Sequence, residues 1–269
     1  MAVLHYSPRN KLRHCIAFYQ SDIMTDKIIL ITGGAKRVGA AISRLLHASG
    51  CKVMIHYRSS AKDASALQTE LNGIRPDSAA IVQADLLDLA TLPQLVTETV
   101  RRFGGLDVLI NNASSYYATE MGSITADDWD NLLGTNLRAP LFLSQAAAPE
   151  LKKRQGCIVN ITDMHVEQPK KDYMVYSIAK GGLMTLTRAL AKDLAPEVRV
   201  NAVAPGPVLW PEDNPQFDED YRQKVVAQTL LNRVGEPEDV ARAVRFLIND
   251  APFVTGQVIA VDGGRSINL

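Results

Sequence analysis

The chain of 269 residues has little cysteine, no excess of either charge and no long apolar run, and each shortage excludes a class of protein. Three cysteines (15, 51 and 157) without close spacing argue against a disulfide framework and a zinc site, and the five histidines show no ligand spacing. Lys plus Arg and Asp plus Glu number 29 each, so no basic excess indicates nucleic acid or an anionic membrane as a partner. No apolar stretch approaches the ~20 residues of a transmembrane helix. We therefore expect a cytoplasmic protein without a metal site.

The N-terminal segment lacks the features of a signal peptide. It has basic and apolar residues, but no uninterrupted apolar region and no convincing cleavage site. The first strand is predicted only near Lys27. We expect residues 1–23 to be a tail that is either disordered or the result of a misassigned start, with Met24 as the true start, and we expect residues 24–269 to form one domain.

Strand-like and helix-like stretches alternate along the rest of the chain. Short apolar runs predict strands at 27–32, 51–57, 79–85, 106–113, 156–162, 198–205 and 257–264. Amphipathic stretches predict helices at about 40–50, 61–72, 91–103, 128–154, 175–195 and 237–248. This alternation predicts an α/β fold, a doubly wound Rossmann-type domain whose seven-stranded parallel sheet carries helices on both faces. The long irregular stretch 205–220 is expected to be a functional loop such as a lid.

A glycine-rich turn, TGGAKRVG (32–39), follows the first predicted strand. Glycines in such a turn let the backbone approach a pyrophosphate at a helix N-terminus. Gly33 and Gly39 fit this pattern, whereas Arg37 stands where a third small residue is the safer choice. A cation at the positive end of a helix is unfavourable unless something negative or polar binds there. We predict a nucleotide-binding turn; the alternative is a tight turn without a ligand.

The second predicted strand ends in HYRSS (56–60), which contains no acidic residue. A site that prefers NAD places an acid here to hold the ribose 2′-hydroxyl. Arg58, with the hydroxyls of Ser59 and Ser60, can instead pair with a 2′-phosphate, which predicts NADPH; the alternative is that Arg58 is a solvated surface charge. Asp85 ends the third strand and is a candidate acceptor for the adenine amino group. The NNAS stretch (111–114) ends the fourth strand and is expected to line the same crevice.

The sequence YSIAK places Tyr176 and Lys180 four residues apart on a predicted helix, and hence on one face of it. The lysine charge is expected to favour phenolate and to lower the tyrosine pKa toward working pH. A tyrosine with such a pKa can deliver a proton to a substrate that receives hydride. The alternative is simple core packing.

Together these residues resemble the short-chain dehydrogenase/reductase family over about residues 27–264. The active site of that family combines Ser, Tyr, Lys and a helix Asn. The resemblance assigns catalytic roles to Tyr176, Lys180 and Asn136, the last supporting the lysine through a water, and it matches Pro205 and Gly206 to the turn that covers the nicotinamide. The position of the serine, however, holds Asp163.

Four peculiarities are similar to the pteridine reductase branch of that family: Arg37 in the turn, NNASSYY (111–117), Asp163 in place of serine, and VDGGRS (261–266). A pterin is flat and polar at its edges. We expect Tyr116 to stack on one pterin face with the nicotinamide on the other, and Arg37 to reach both the pyrophosphate and the pterin edge. Asp163, Tyr176 and Lys180 are expected to relay the proton.

The resemblance thus predicts two overlapping sets of binding residues. The cofactor set is Gly33, Arg37, Val38, Gly39, His56, Tyr57, Arg58, Ser59, Asp85, Leu86, Asn112, Ala113, Ser114, Tyr176, Lys180, Pro205 and Gly206. The substrate set is Arg37, Ser114, Tyr116, Asp163, Tyr176 and Trp210. Trp210 is interpreted either as a cap on the pocket or as a packing anchor, and His165 as a neutral loop residue rather than a catalytic one.

The predicted function is an NADPH-dependent reduction of dihydropterins, with dihydrofolate as a further candidate substrate. One alternative is a 3-oxoacyl-thioester or general carbonyl reductase of the same family. Another is a catalytically silent NADP(H)-sensing regulator. Family resemblance also implies a homotetramer. The balanced charge and the lack of a long apolar run predict no nucleic-acid or membrane partner.

Overall fold

The computed structural model describes residue 24, residues 26–209 and residues 218–268. The predicted tail at 1–23 and Trp210 lie outside the described residues. Seven strands form the sheet: β1 Ile28–Ile31, β2 Lys52–Tyr57, β3 Ala79–Gln83, β4 Val108–Asn111, β5 Cys157–Ile161, β6 Arg199–Pro205 and β7 Val258–Val261. All are parallel, in the order β3-β2-β1-β4-β5-β6-β7. The predicted doubly wound fold is confirmed.

Eight α-helices connect the described strands: α1 Arg37–Ala48, α2 Ala61–Ile74, α3 Leu92–Phe103, α4 Ala126–Leu133, α5 Ala139–Lys153, α6 Met174–Leu194, α7 Glu219–Ala227 and α8 Pro237–Asn249. A π-helical turn, Gly134–Arg138, separates α4 from α5, so the single helix predicted at 128–154 is wrong. None of the helices in the described part of the chain is long and apolar enough to cross a membrane.

Strand residues alternate between two apolar cores because successive side chains point to opposite faces of the sheet. Ile29 and Ile31 face α1, α2 and α8, whereas Leu30 faces α3, α5 and α6, and all three side chains are fully buried. Both faces of the sheet are therefore covered, which is what keeps a parallel sheet stable.

The strand order reverses at β1, whose neighbours are β2 and β4. The crossover that leaves β1 runs through α1 on one face of the sheet, and the crossover that leaves β4 runs through α5 on the other, so a crevice opens between the carboxyl ends of β1 and β4. In open α/β sheets this crevice is where ligands bind.

Candidate active site

A cavity of about 680 Å³ fills the crevice at the carboxyl ends of the strands. This volume is typical of small-molecule and cofactor sites. The predicted residues that line it are Gly33, Arg37, Val38, Gly39, His56, Tyr57, Arg58, Ser59, Asp85, Leu86, Asn112, Ala113, Ser114, Tyr116, Asp163, Tyr176, Lys180, Pro205 and Gly206. Asn136 is the described predicted residue that does not line the cavity.

The glycine-rich turn is held in place by close packing and by the side-chain amide of the residue that follows β4. Gly33 has φ +60°, which glycine adopts without strain, and a Cβ on Gly39 would overlap the Gly33 carbonyl oxygen. Asn112 Nδ2 donates to Thr32 O at 2.9 Å and to Gly33 O at 3.0 Å. Asn112 therefore positions the turn and fixes its distance from the end of β4.

His56, on β2, lines the cavity and also supports the glycine-rich turn. Its Nδ1 accepts from Gly33 N at 3.1 Å, and its Nε2 donates to Ala84 O at 3.2 Å, which assigns the neutral tautomer protonated on Nε2. Burial lowers the pKa of His56 to about 4, so the ring is neutral near pH 7. His56 thus links the glycine-rich turn to the end of β3.

Arg37 is the first residue of α1 and has φ +52°, a left-handed conformation that is unusual for a residue with a side chain. Its Nη2 lies 3.4 Å from Leu209 O. The first turn of α1 contains no acidic residue, and its N-cap residue Lys36 forms no side-chain cap hydrogen bond. This helix end therefore presents positive charge to the cavity, as a site for a phosphate requires.

The residues that follow β2 and β3 line one end of the cavity. Arg58 is exposed, and its guanidinium makes no hydrogen bond or ion pair with another described residue. Asp85 is exposed as well and accepts from Leu87 N at 3.0 Å through Oδ1, while Leu86 beside it is buried. These positions suit a 2′-phosphate at Arg58 and an adenine near Asp85.

Tyr176 is hydrogen-bonded to the aspartate that replaces the expected serine. Its hydroxyl donates to Asp163 Oδ2 at 2.7 Å, while Asp163 Oδ1 accepts from His165 N at 2.7 Å. Burial, followed by the negative charge of Asp163, raises the pKa of Tyr176 well above its usual value. The expectation that the Tyr176 pKa is lowered is therefore wrong: the nearest charge is a carboxylate, and it favours the protonated phenol.

Lys180 lies beneath Tyr176 but does not reach its hydroxyl. Its Nζ donates to Ile161 O at 2.8 Å and lies 5.8 Å from the centroid of the Tyr176 ring. The side chain is 2% exposed, and burial lowers the Lys180 pKa to about 8, against the opposing effect of Asp163. A cationic Lys180 is thus present at neutral pH but is lost in mildly alkaline solution.

Asn136 lies in the π-helical turn, which turns its side chain toward the loop after β4. Its Nδ2 donates to Ser115 O and Leu132 O, both at 2.9 Å, and its Oδ1 accepts from Ser114 Oγ at 2.6 Å. Asn136 therefore orients Ser114 at the edge of the cavity. Its support of Lys180 stays a prediction.

Tyr116 has an aromatic partner that the sequence analysis did not identify. Its ring stacks on Tyr173 at a centroid distance of 4.7 Å and packs at a steep angle against Tyr176 at 4.9 Å. With 42% of Tyr116 exposed, part of the ring stays accessible from the cavity. The predicted stacking of Tyr116 on a pterin must use the surface that Tyr173 leaves open.

Comparison with known proteins assigns the family. A family model described as enoyl-(acyl carrier protein) reductase matches residues 33–266. Pteridine reductase 1 of Leishmania tarentolae is 38% identical, over 90% of this chain and 97% of that protein. The chain belongs to the short-chain dehydrogenase/reductase family.

Other members of the short-chain dehydrogenase/reductase family are similar at nearly the same level. A putative ketoacyl reductase of the granaticin polyketide synthase of Streptomyces violaceoruber is 35% identical, over 89% of this chain and 96% of that protein. The 3-oxoacyl-(acyl-carrier-protein) reductase of Staphylococcus aureus is 33% identical, over 88% and 97%. A blue fluorescent protein from a metagenomic library, solved in complex with NADPH, has a TM-score of 0.83 at 35% identity, over 91% of this chain and 99% of that one. The chain is thus an oxidoreductase of this family, and overall identity does not select its substrate.

Three residues of the cavity lining were not among the site residues predicted from the sequence. Lys170, Tyr221 and Arg265 line the cavity, although each lies outside the motifs. Of these three residues, only Arg265 lies in a stretch that the sequence analysis singled out, VDGGRS. Asn111, from the NNAS stretch, points instead into the core, where its Nδ2 donates to Asn160 Oδ1 at 2.8 Å.

Proposed function

We propose that this chain is an NADPH-dependent pteridine reductase that converts dihydropterins, and dihydrofolate as a further substrate, to their tetrahydro forms. The observation that carries the proposal is the 2.7 Å hydrogen bond from the Tyr176 hydroxyl to Asp163 Oδ2 at the wall of the cavity. The similarity to pteridine reductase 1 of Leishmania tarentolae supports it.

The described residues fit NADPH as the cofactor. Arg37 and the amides at the uncapped start of α1 would hold the pyrophosphate, and Arg58 with Ser59 would hold the 2′-phosphate. The structural neighbour in complex with NADPH supports this choice. When bound, NADPH supplies the hydride. Pro205 and Gly206, which line the cavity at the end of β6, would bound the nicotinamide.

The reduction of a C=N bond adds hydride to carbon and a proton to nitrogen. Burial and Asp163 keep the phenol of Tyr176 protonated, so Tyr176 enters the reaction as a proton donor and not as a phenolate. The carboxylate of Asp163 can accept from the N–H groups at a pterin edge and hold the proton passed between Tyr176 and solvent. The charge of Lys180, 5.8 Å from the Tyr176 ring, stabilises the phenolate that follows proton transfer.

A 3-oxoacyl-thioester reductase is the second candidate, and the ketoacyl reductases among the relatives favour it. Reduction of a ketone develops negative charge on the carbonyl oxygen beside the catalytic tyrosine. In this chain that oxygen would approach the carboxylate of Asp163, which disfavours the charge. This electrostatic conflict is the physical reason to prefer a pterin.

The test is NADPH oxidation by the full chain with dihydrobiopterin, dihydrofolate and an acetoacetyl thioester, each in turn. We expect turnover with the dihydropterins and little with the thioester. Turnover with the thioester alone would contradict the proposal, and NADPH binding without turnover on any of them would favour the silent regulator.

We also propose that the protein is a homotetramer. Exposed apolar side chains on α5 and α6, among them Leu141, Phe142 and Ile178, support a subunit contact through these helices. Light scattering at several protein concentrations gives the mass; a monomer throughout would contradict this proposal.

A further inference from the structure

Arg265 lies at the end of the cavity opposite Arg58. It follows β7 through a turn in which Gly263 and Gly264 have φ +64° and +80°, and it begins the short helix Arg265–Ile267. The side chain is 6% exposed, yet it lines the cavity. Because β7 and β3 stand at opposite ends of the sheet, Arg265 is remote from the expected 2′-phosphate and adenine positions.

The loop that carries Asp163 packs against the turn that carries Arg265. Gln168 Nε2, from that loop, donates to Ser266 O at 3.3 Å. Lys170, from the same loop, has its Nζ 4.5 Å from the centroid of the Tyr173 ring and 5.3 Å from that of Tyr221. Arg265 therefore belongs to the half of the cavity in which the substrate would bind.

The guanidinium of Arg265 has only neutral partners among the described residues. Its Nη1 donates to Val225 O at 3.0 Å and its Nη2 to Gln228 Oε1 at 2.9 Å. The nearest acid in sequence, Asp262, directs its carboxylate elsewhere: Oδ1 accepts from Gly264 N at 2.9 Å and Oδ2 from Ser266 N at 2.8 Å. In the described part of the chain no carboxylate forms an ion pair with Arg265.

A buried guanidinium stays charged and needs a counter-charge. The carboxyl end of α7, which includes Val225, supplies at most about half a negative charge through its carbonyl groups. Val225 and Gln228, at that end, accept hydrogen bonds from two of the five N–H groups of the Arg265 guanidinium. A further acceptor can approach the guanidinium from the cavity, which Arg265 lines.

We propose that Arg265 binds an anionic group of the substrate, placed away from the bond that is reduced. This inference rests on the proposed function: with pterins as substrates, it selects those whose side chain carries a carboxylate, as in dihydrofolate, over those with an uncharged side chain, as in dihydrobiopterin. The Arg265 guanidinium would bind the phosphate of a thioester carrier through the same kind of interaction. The experiment distinguishes a carboxylate on a pterin side chain from a phosphate on such a carrier.

The experiment compares kcat and KM of the wild type, Arg265→Gln and Arg265→Lys on dihydrofolate and on dihydrobiopterin. These substrates share the reacting ring and differ in the charge of the side chain. We expect Arg265→Gln to raise the KM for dihydrofolate at least tenfold and the KM for dihydrobiopterin less than twofold. The KM of Arg265→Lys for dihydrofolate should lie between those of Arg265→Gln and the wild type. Gln228→Met, which removes one neutral acceptor and keeps the charge, is the control and should leave the ratio of the two KM values unchanged.

Equal changes in both KM values would overturn the inference, because they would mean that Arg265 only holds α7 in place. If Arg265→Gln does not fold, the salt dependence of the wild-type enzyme tests the inference instead. Added salt should raise the KM for dihydrofolate and leave the KM for dihydrobiopterin unchanged. Equal effects of salt on both KM values would overturn the inference. If the wild type reduces only thioesters, the proposed function fails separately. The same variants are then assayed on acetoacetyl-CoA and a small uncharged ketone, and a selective loss on acetoacetyl-CoA would still support the role of Arg265.

Discussion

Replacement of His56 by leucine tests whether a neutral, buried imidazole holds the glycine-rich turn. The ring is 2% exposed, accepts from Gly33 N and donates to Ala84 O. The change to leucine leaves the Gly33 N–H and the Ala84 carbonyl without their partner. A buried group left unpaired costs about 1–3 kcal/mol; since two groups lose their partner and both hydrogen bonds are only partly buried, we take the lower end for each and expect His56→Leu to lower the free energy of unfolding by about 2 kcal/mol. The affinity for NADPH should fall as well, because the turn loses its link to β3.

The pH dependence of the same variant gives a sharper magnitude. Burial lowers the pKa of His56 from 6.5 to about 4 in the folded chain, so the unfolded chain binds a proton first as the pH falls. The His56 contribution is complete above pH 6.5 and is lost as the pH falls toward 4. Between about pH 7.5 and about pH 5 the wild type should lose about 2 kcal/mol more of its free energy of unfolding than His56→Leu loses.

Urea unfolding at the two pH values measures this difference, because all other titrating groups are shared by the two chains. His56→Asn is the matched control: its amide oxygen can replace Nδ1 as the acceptor for Gly33 N–H, so its affinity for NADPH should exceed that of His56→Leu. The same loss of stability in wild type and His56→Leu would refute the assignment of a neutral His56 with a lowered pKa.

Three further outcomes follow from the cofactor half of the site. Arg58→Ala should raise the KM for NADPH far more than that for NADH in steady-state assays, and equal effects would mean that no 2′-phosphate binds there. Arg37→Gly should be more stable to urea than Arg37→Ala by about 1 kcal/mol, because Arg37 has φ +52°; equal stability would argue against the left-handed conformation. The affinity for NADPH, titrated by fluorescence, should fall as the pH rises through about 8, where Lys180 loses its charge, and an unchanged affinity would argue against the lowered Lys180 pKa.

Much of the fold could be predicted because its signals are local. Each strand is a short apolar run next to an amphipathic helix, and the predicted strand at 198–205 differs by one residue from β6, Arg199–Pro205. The break between α4 and α5 could not be predicted in this way. The only helix-weakening residue of GTNLR is Gly134, which a helix interior tolerates at a cost of about 1 kcal/mol, so the π-helical turn is recognisable only from its backbone and from the contacts of Asn136.

Where a motif fixes the position, the sequence predicted residues that line the cavity, as for Tyr176, Lys180 and Gly39. Roles that depend on contacts between residues distant in sequence could not be predicted in this way. The Tyr176 pKa was assigned the wrong direction because Lys180 is the near neighbour in sequence, whereas Asp163 is the hydrogen-bond partner in space. His56 was expected to contact the cofactor, which stays a prediction; its hydrogen bond to Gly33 N, which holds the turn, was not predicted.

The central claim is that Asp163 beside Tyr176 adapts a short-chain reductase to pterins. The most direct measurement is kcat/KM of the wild type and of Asp163→Ser on dihydrobiopterin and on an acetoacetyl thioester. We predict that the variant loses about 10²-fold or more on dihydrobiopterin, the range for removal of an acid–base group, and gains on the thioester as the repulsive carboxylate is removed. Full dihydrobiopterin reduction by Asp163→Ser would contradict the claim.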